Sequence, residues 1–191
     1  MRELTYYVAT SLDGRIAAPD GDFSAFPMVG DHIDMIVRDW TDTLPGPAQA
    51  ALGVTPPRSR FDAVVMGWNT YAAGFPHGVD DPYPHLDQVV VTRSHLDHAV
   101  PAGVRLTTDP VAEVQRLKAA PGVGVWLCGG GTLAGSVVDE IDRLVVKVNP
   151  VLLGDGPALV TAPYAARDFR LDRTQAFGSG VVVNEYVRDR G

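Results

Sequence analysis

Val123-Gly124-Val125-Trp126-Leu127-Cys128-Gly129-Gly130-Gly131-Thr132-Leu133 reads as a short buried strand, three consecutive glycines and a helix start. Val125 to Cys128 is an apolar run of strand length. Gly129, Gly130 and Gly131 permit positive φ and place no side chain between the backbone and a ligand. Thr132 is positioned to cap the following helix, with Leu133, Val137 and Ile141 spaced by four residues along one face. A helix start with bare amides favours an anion, so phosphate is the natural guest. A tight strand-to-helix turn with no ligand is the plain alternative.

The rest of the chain places this turn in an α/β fold. Leu4 to Thr10 reads as a first strand, and Asp13-Gly14 as a tight turn. Asp31 opens a helix that turns Ile33, Ile36, Val37 and Trp40 inward. Asp31 and Asp34 in its first turn suit an N-cap and a favourable charge on the helix dipole. Thr43 to Ser59 has four prolines and reads as loop, with one helical turn at Ala48 to Leu52. Strands follow at Phe61 to Met66, Gln88 to Val91 and Val104 to Leu106. A short helix from Asn69 ends near Gly74, and 77–87 is loop. Asp109-Pro110 caps a helix with Val111, Val114 and Leu117 inward. Leu144 to Val148 and Val151 to Leu153 read as one strand interrupted by Pro150. Phe169 to Gln175 and Val181 to Val187 make a terminal hairpin. The alternation predicts a mostly parallel sheet with an antiparallel C-terminal edge, in one domain spanning 1–191.

Composition bounds the function. The 191 residues suit a core of ordinary size, being 46% hydrophobic and 20% charged. A net charge of −7 argues against a general nucleic-acid or membrane-surface binder. No apolar run approaches the roughly 18 residues of a membrane helix, and the N-terminus lacks a signal-peptide core. The single Cys128 excludes an internal disulfide, suits a reducing cytoplasm, and reads as a small buried hydrophobe. The five histidines form no His-x-x-x-His pair, so no metal site is expected.

In such a sheet ligands gather beyond the carboxyl ends of the strands. Three predicted strand ends carry ligand-grade residues: Gly67-Trp68-Asn69-Thr70, Thr92-Arg93-Ser94 and Gly129-Gly130-Gly131-Thr132. Arginine between two hydroxyls suits a phosphate monoester. Together they suggest a dinucleotide with an extra phosphate, NADP. The doubly wound fingerprint is a poorer match. Its acid about 20 residues on is absent, where Val148-Asn149-Pro150 stands, and the glycines come late in the chain. A Walker loop lacks its lysine.

Several stretches resemble one family in order. Thr10-Ser11-Leu12-Asp13-Gly14-Arg15-Ile16-Ala17 resembles the Ser-Leu-Asp-Gly signature of dihydrofolate-reductase-like proteins, a group that includes the reductase domain of riboflavin-biosynthesis deaminase-reductases. Val65 to Tyr71 resembles their Met-Gly-Arg-x-Thr-Tyr motif, Val90 to Ser94 the strand meeting the adenosine-side phosphate, and Trp126 to Leu133 the Gly-Gly motif. Val138-Asp139-Glu140-Ile141 and Pro150 to Gly156 are similar to two further family stretches. The resemblance implies an α/β/α sandwich of dihydrofolate reductase type and NADPH as hydride donor. It also implies a small heterocyclic substrate, either pteridine-like or aminopyrimidine-like, a cytoplasmic enzyme and a homodimer.

Carried over by position, Ala9 and Ile16 would line the nicotinamide pocket. Gly67, Trp68 and Thr70 would approach the phosphates, Thr92, Arg93 and Ser94 would hold the 2′-phosphate, and Gly129 to Leu133 the pyrophosphate. Asp31 is the candidate proton donor, with Asp34 and Asp13 as candidate substrate contacts. For Asp13 the competing role is turn geometry. Trp68 stands where the family usually has a basic residue. Tyr7 stands where the riboflavin-pathway reductases carry a lysine. A dinucleotide-binding module without turnover is the alternative reading.

Overall fold

The computed structural model of the chain describes residues 1–190. Its elements are β1 (Glu3–Thr10), α1 (Asp31–Asp39), α2 (Gly46–Leu52), β2 (Ala63–Gly67), α3 (Trp68–Ala72), β3 (Asp87–Val91), β4 (Val104–Thr107), α4 (Pro110–Ala119), β5 (Gly124–Cys128), α5 (Gly131–Ser136), β6 (Arg143–Val148), β7 (Phe169–Ala176) and β8 (Val182–Arg188). All eight strands form one sheet in the order β4-β3-β2-β5-β1-β6-β8-β7. The first six are mutually parallel; β8 runs antiparallel to β6, and β7 to β8. This is the expected sheet with its antiparallel C-terminal hairpin.

Burial on both faces explains why the central strands are unbroken apolar runs rather than alternating ones. On one face Leu4, Tyr6, Val65, Val89, Val125 and Leu127 lie under Val114 and Leu117 of α4 and Leu133 and Ala134 of α5. On the other, Val64, Met66, Val90, Trp126 and Val145 lie under Met35 of α1, Trp40 and Tyr71 of α3. Helix α4 forms as its sequence dictates: Asp109 accepts from the Ala112 amide at 3.0 Å, and Pro110 needs no donor at the first helical position.

Four local expectations are corrected. In α1 the inward residues are His32 and Met35, whereas Ile33, Ile36 and Val37 are half-buried. His32 tolerates full burial because Ser179 Oγ lies 2.9 Å from its Nδ1 and the Pro27 carbonyl 3.0 Å from its Nε2. In α5 the cap position belongs to Gly130, with no side-chain cap; Thr132 is exposed inside the helix, which ends at Ser136, short of Ile141. None of the three consecutive glycines adopts positive φ. Residues 151–153 are not strand: the Val151 carbonyl accepts from the Leu12 amide at 2.8 Å, and the Leu153 amide donates to Asp13. The bend after Asn149 folds this segment onto the Asp13-Gly14 turn.

The two long loops interlock. Gly46 donates to the Pro82 carbonyl at 2.9 Å, and His85 Nε2 lies 2.8 Å from the Asp42 carbonyl oxygen. The Asp42 carboxylate, almost wholly buried, accepts the amides of Arg58, Arg60 and Phe61 at 2.7, 2.8 and 3.1 Å. It is the clasp of the 43–59 segment, and its sequence context did not reveal it.

Candidate active site

The strand order fixes where a ligand can sit. From β1 the chain crosses leftward to β2, and from β5 it crosses rightward to β6, so the direction of winding reverses between the adjacent strands β5 and β1. A crevice opens beyond the carboxyl ends of strands at such a reversal. Gly129-Gly130 leaves β5 there and Ser11 to Ile16 leaves β1. The two come together there: a Cβ on Gly130 would lie 3.9 Å from Ile16 Cδ1. From β3 to β6 the edge spans four interstrand steps of about 4.8 Å, roughly 19 Å, enough for an extended ligand.

The β1 side is held rigidly. Gly14 takes φ +76°, the left-handed conformation the Asp-Gly turn requires. Asp13 accepts from Ser11 Oγ at 2.6 Å, Leu153 N at 3.1 Å and Gly154 N at 2.7 Å. The Ser11 hydrogen bond foremost, with these amides, lowers its pKa to about 2. Ile16 N donates to the Pro157 carbonyl and Leu159 N to the Gly14 carbonyl, both at 3.0 Å. Ala9 pairs in register with Lys147 of β6. This side is a preformed wall, and Asp13 serves as its tie.

The glycines divide by role. Around Gly67, its chain neighbours aside, no atom of the described residues lies within 4 Å of where a Cβ would stand. A Cβ on Gly129 would lie 3.5 Å from the Gly67 amide nitrogen, so the β2 and β5 ends face each other closely. Gly67 and Gly130 both precede helices, α3 and α5, and neither carries a side-chain cap. Gly131 answers to packing instead: a Cβ there would lie 2.0 Å from the Ala158 carbonyl oxygen, and one on Gly135 1.8 Å from that of Thr161. The segment 158–161 crosses α5 over these two positions, with Thr161 N donating to the Gly131 carbonyl at 2.9 Å. Two glycines four apart on one helix face are the sequence signal for that close approach. Leu133 is core, and its Cδ2 would lie 3.2 Å from a Cβ on Gly129.

At the β3 end, Thr92 is buried, its Oγ1 lying 3.2 Å from His95 Nδ1 and accepting from Ser94 N at 3.3 Å. It shapes the turn, while Arg93 and Ser94 stand exposed. Arg93 has no hydrogen bond or ion pair among the described residues. Trp68 lies flat on His95, with ring centroids 3.9 Å apart and planes 2° apart, and His98 meets its edge at 4.9 Å. Sequence reasoning missed these histidines, which enter from the loop after β3. Thr70 is half-buried on α3.

Asp31 does not cap α1. Its carboxylate reaches the β7–β8 turn, accepting from Gly178 N at 2.7 Å and Ser179 N at 3.1 Å. The Gly178 bond, above all, holds its pKa below the usual carboxylate value, which suits an anchor better than a proton donor. Asp34 is exposed on α1, and its carboxylate has no hydrogen bond among the described residues. Cys128 at the end of β5 is half-buried; desolvation pushes its thiol up to about 12, with the Tyr83 hydroxyl 3.9 Å away. That keeps the sulfur protonated and unreactive at neutral pH. Among the described residues no cluster of His, Cys, Asp and Glu is placed to hold a metal ion, and no helix is long and apolar enough to cross a membrane.

Comparison with known proteins agrees with this geometry. The chain is 29% identical over 189 residues to the uncharacterized protein YwjB of Bacillus subtilis strain 168, covering 98% of each. Among solved structures it matches a putative riboflavin biosynthesis protein from Shewanella sp. PV-4 at 24% identity and TM-score 0.66, over 100% of both chains. It also matches a dihydrofolate reductase from Enterococcus faecalis, complexed with NADP(H) and RAB-propyl. That match has 12% identity and TM-score 0.65, over 98% of this chain and 96% of the other. These two likenesses show a shared fold. The family model of the RibD C-terminal domain matches residues 2–183, so the chain belongs to the RibD C-terminal domain family.

Proposed function

We propose that the chain is an NADPH-dependent reductase that transfers a hydride to a small heterocyclic substrate. The observation that carries this reading is the row of features along one sheet edge. Arg93, without a side-chain partner among the described residues, lies at one end, the open backbone at Gly67 and Gly130 in the middle, and the locked Ser11 to Ile16 wall at the other. The residues fit the cofactor. Arg93 with Ser94 would take the 2′-phosphate, Gly67, Thr70, Gly129 and Gly130 the pyrophosphate, and Ala9 and Ile16 the nicotinamide ring. Thr92 would support this set by shaping its turn, and Thr132 stands exposed in the first turn of α5. Bound there, the cofactor would supply the hydride. The protein would align the reacting carbon, exclude water and stabilise the developing charge. Family membership and the NADP(H) complex of the Enterococcus enzyme support the reading. The same reading takes a homodimer as the working form.

A dinucleotide-binding module without turnover is the second reading. It is favoured by Asp31, whose two oxygens are already committed to backbone amides. Titrating the cofactor-free protein with NADPH and then NADH, followed by tryptophan fluorescence, tests the first step. Saturable binding that favours NADPH is expected; binding of neither refutes both readings. Steady NADPH oxidation with dihydropteridines or aminopyrimidines then separates them.

A further inference from the structure

The chain has two lysines, and they are held very differently. Lys118 sits 2.7 Å from Asp142 and 3.6 Å from Glu140, and donates to the Glu140 carbonyl at 2.9 Å. Lys147 is only 8% exposed, and its ammonium makes no hydrogen bond or ion pair among the described residues. A desolvated ammonium without a partner is costly, and burial lowers its pKa from the ordinary lysine value. Its Nζ is nevertheless not fully sealed from solvent. Among the described residues only Arg15 Nε and Asn149 Oδ1 are side-chain polar atoms both sealed and unpartnered.

Its place in the sheet gives this charge a direction. Lys147 is the penultimate residue of β6, paired with Ala9 on one side and Val183 on the other. It alternates with Val146 and so shares the α1 face with Val145 and Val183. The groups around that face leave it unneutralised. Tyr7 of β1 is stacked on Trp40 at 4.6 Å. Glu185 of β8, opposite Val145, faces Arg173 at 3.9 Å. On α1, His32 is bonded on both ring nitrogens, Asp31 is tied to Gly178 and Ser179, and Asp34 is exposed. A three-donor, acceptor-free group therefore stands beside Ala9, where the proposed reading puts the nicotinamide ring.

We infer that Lys147 contacts the substrate of the proposed reductase site, selecting a heterocycle that presents a carbonyl or anionic oxygen to its ammonium. This rests on the cofactor reading above. An amidine edge, which offers N–H donors, needs a free carboxylate here, and Asp31 is already occupied. An oxygen acceptor instead supplies the bond that the lysine lacks.

The test uses whole protein labelled at the lysine side chains, where NMR shows one signal each for Lys147 and Lys118. The probes are NADP⁺, then uracil and 2,4-diaminopyrimidine as a matched pair with and without ring oxygens. On the NADP⁺ complex, uracil is expected to move the Lys147 signal and leave Lys118 still, while 2,4-diaminopyrimidine moves neither. Lys147→Met should bind uracil at least tenfold more weakly, with NADP⁺ affinity within twofold of wild type and an unchanged or raised Tm. NADP⁺ binding with a Lys147 signal silent to uracil, or equally responsive to both probes, overturns the inference and leaves the cofactor reading intact. Failure to bind NADP⁺ overturns both.

Discussion

Gly67→Ala and Gly131→Ala form a pair that separates a glycine proposed to face the cofactor from a packing glycine. Gly67 has φ −80° and ψ 161°, ordinary extended backbone, and its Cβ position is empty to 4 Å. Alanine there costs the folded protein nothing and narrows the unfolded ensemble, a gain of about 0.4–1 kcal/mol. For a chain of this length that raises Tm by about 1–4 °C. The same methyl group fills the gap that the pyrophosphate is proposed to occupy, so NADPH affinity should fall at least tenfold, about 1.4 kcal/mol. At Gly131 the methyl would meet the Ala158 carbonyl oxygen at 2.0 Å, a backbone atom that cannot rotate away. Overpacking of this kind costs about 1–3 kcal/mol or more, a Tm loss of about 2–12 °C. Thermal unfolding by circular dichroism and fluorescence titration with NADPH read both variants. The reasoning is refuted if Gly67→Ala keeps wild-type NADPH affinity, or if Gly131→Ala melts with the wild type.

Two further outcomes follow from the hydrogen bonds. Asp42→Ala strands the amides of Arg58, Arg60 and Phe61; allowing water to rescue the more exposed ones, stability should fall by about 2–4 kcal/mol in urea unfolding, and an unchanged midpoint would contradict the clasp. Asp13 has a folded pKa of about 2, below the ordinary carboxylate value of about 3.9, so the unfolded chain takes up its proton first. Its stabilising contribution is complete above the unfolded value and is lost as pH falls toward 2. Acid titration of Tm should show a shallower decline between pH 4 and 2 in Asp13→Asn than in wild type; parallel curves would oppose this.

The strands, helix α4 and the C-terminal hairpin were legible because their signals are local: an apolar run, an Asp-Pro cap, a Gly-Ser-Gly turn. The open backbone of the candidate site was legible at Gly67 and Gly130, since glycine after a strand announces an open edge. The candidate site was illegible where a partner lies far along the chain. Asp31 reads as a helix cap until the turn at Gly178-Ser179, nearly 150 residues later, claims its oxygens. The burial of His32 likewise rests on Ser179 and Pro27, which satisfy its ring. Gly131 reads as part of a phosphate loop until the 158–161 crossing shows why no side chain fits. Lys147 carried a visible signal, a lysine inside Leu-Val-Val-Lys-Val, but its solitude depends on neighbours from β1, β8 and α1.

The central claim is that a phosphorylated dinucleotide lies along this edge with its 2′-phosphate at Arg93. The most direct measurement is the NADPH and NADH affinity of wild type beside Arg93→Ala. The Arg93 side chain is exposed and has no partner among the described residues, so its removal leaves folding unchanged. The account predicts that wild type prefers NADPH and that Arg93→Ala loses that preference, with NADH affinity unmoved. An unchanged preference for NADPH in Arg93→Ala would contradict it.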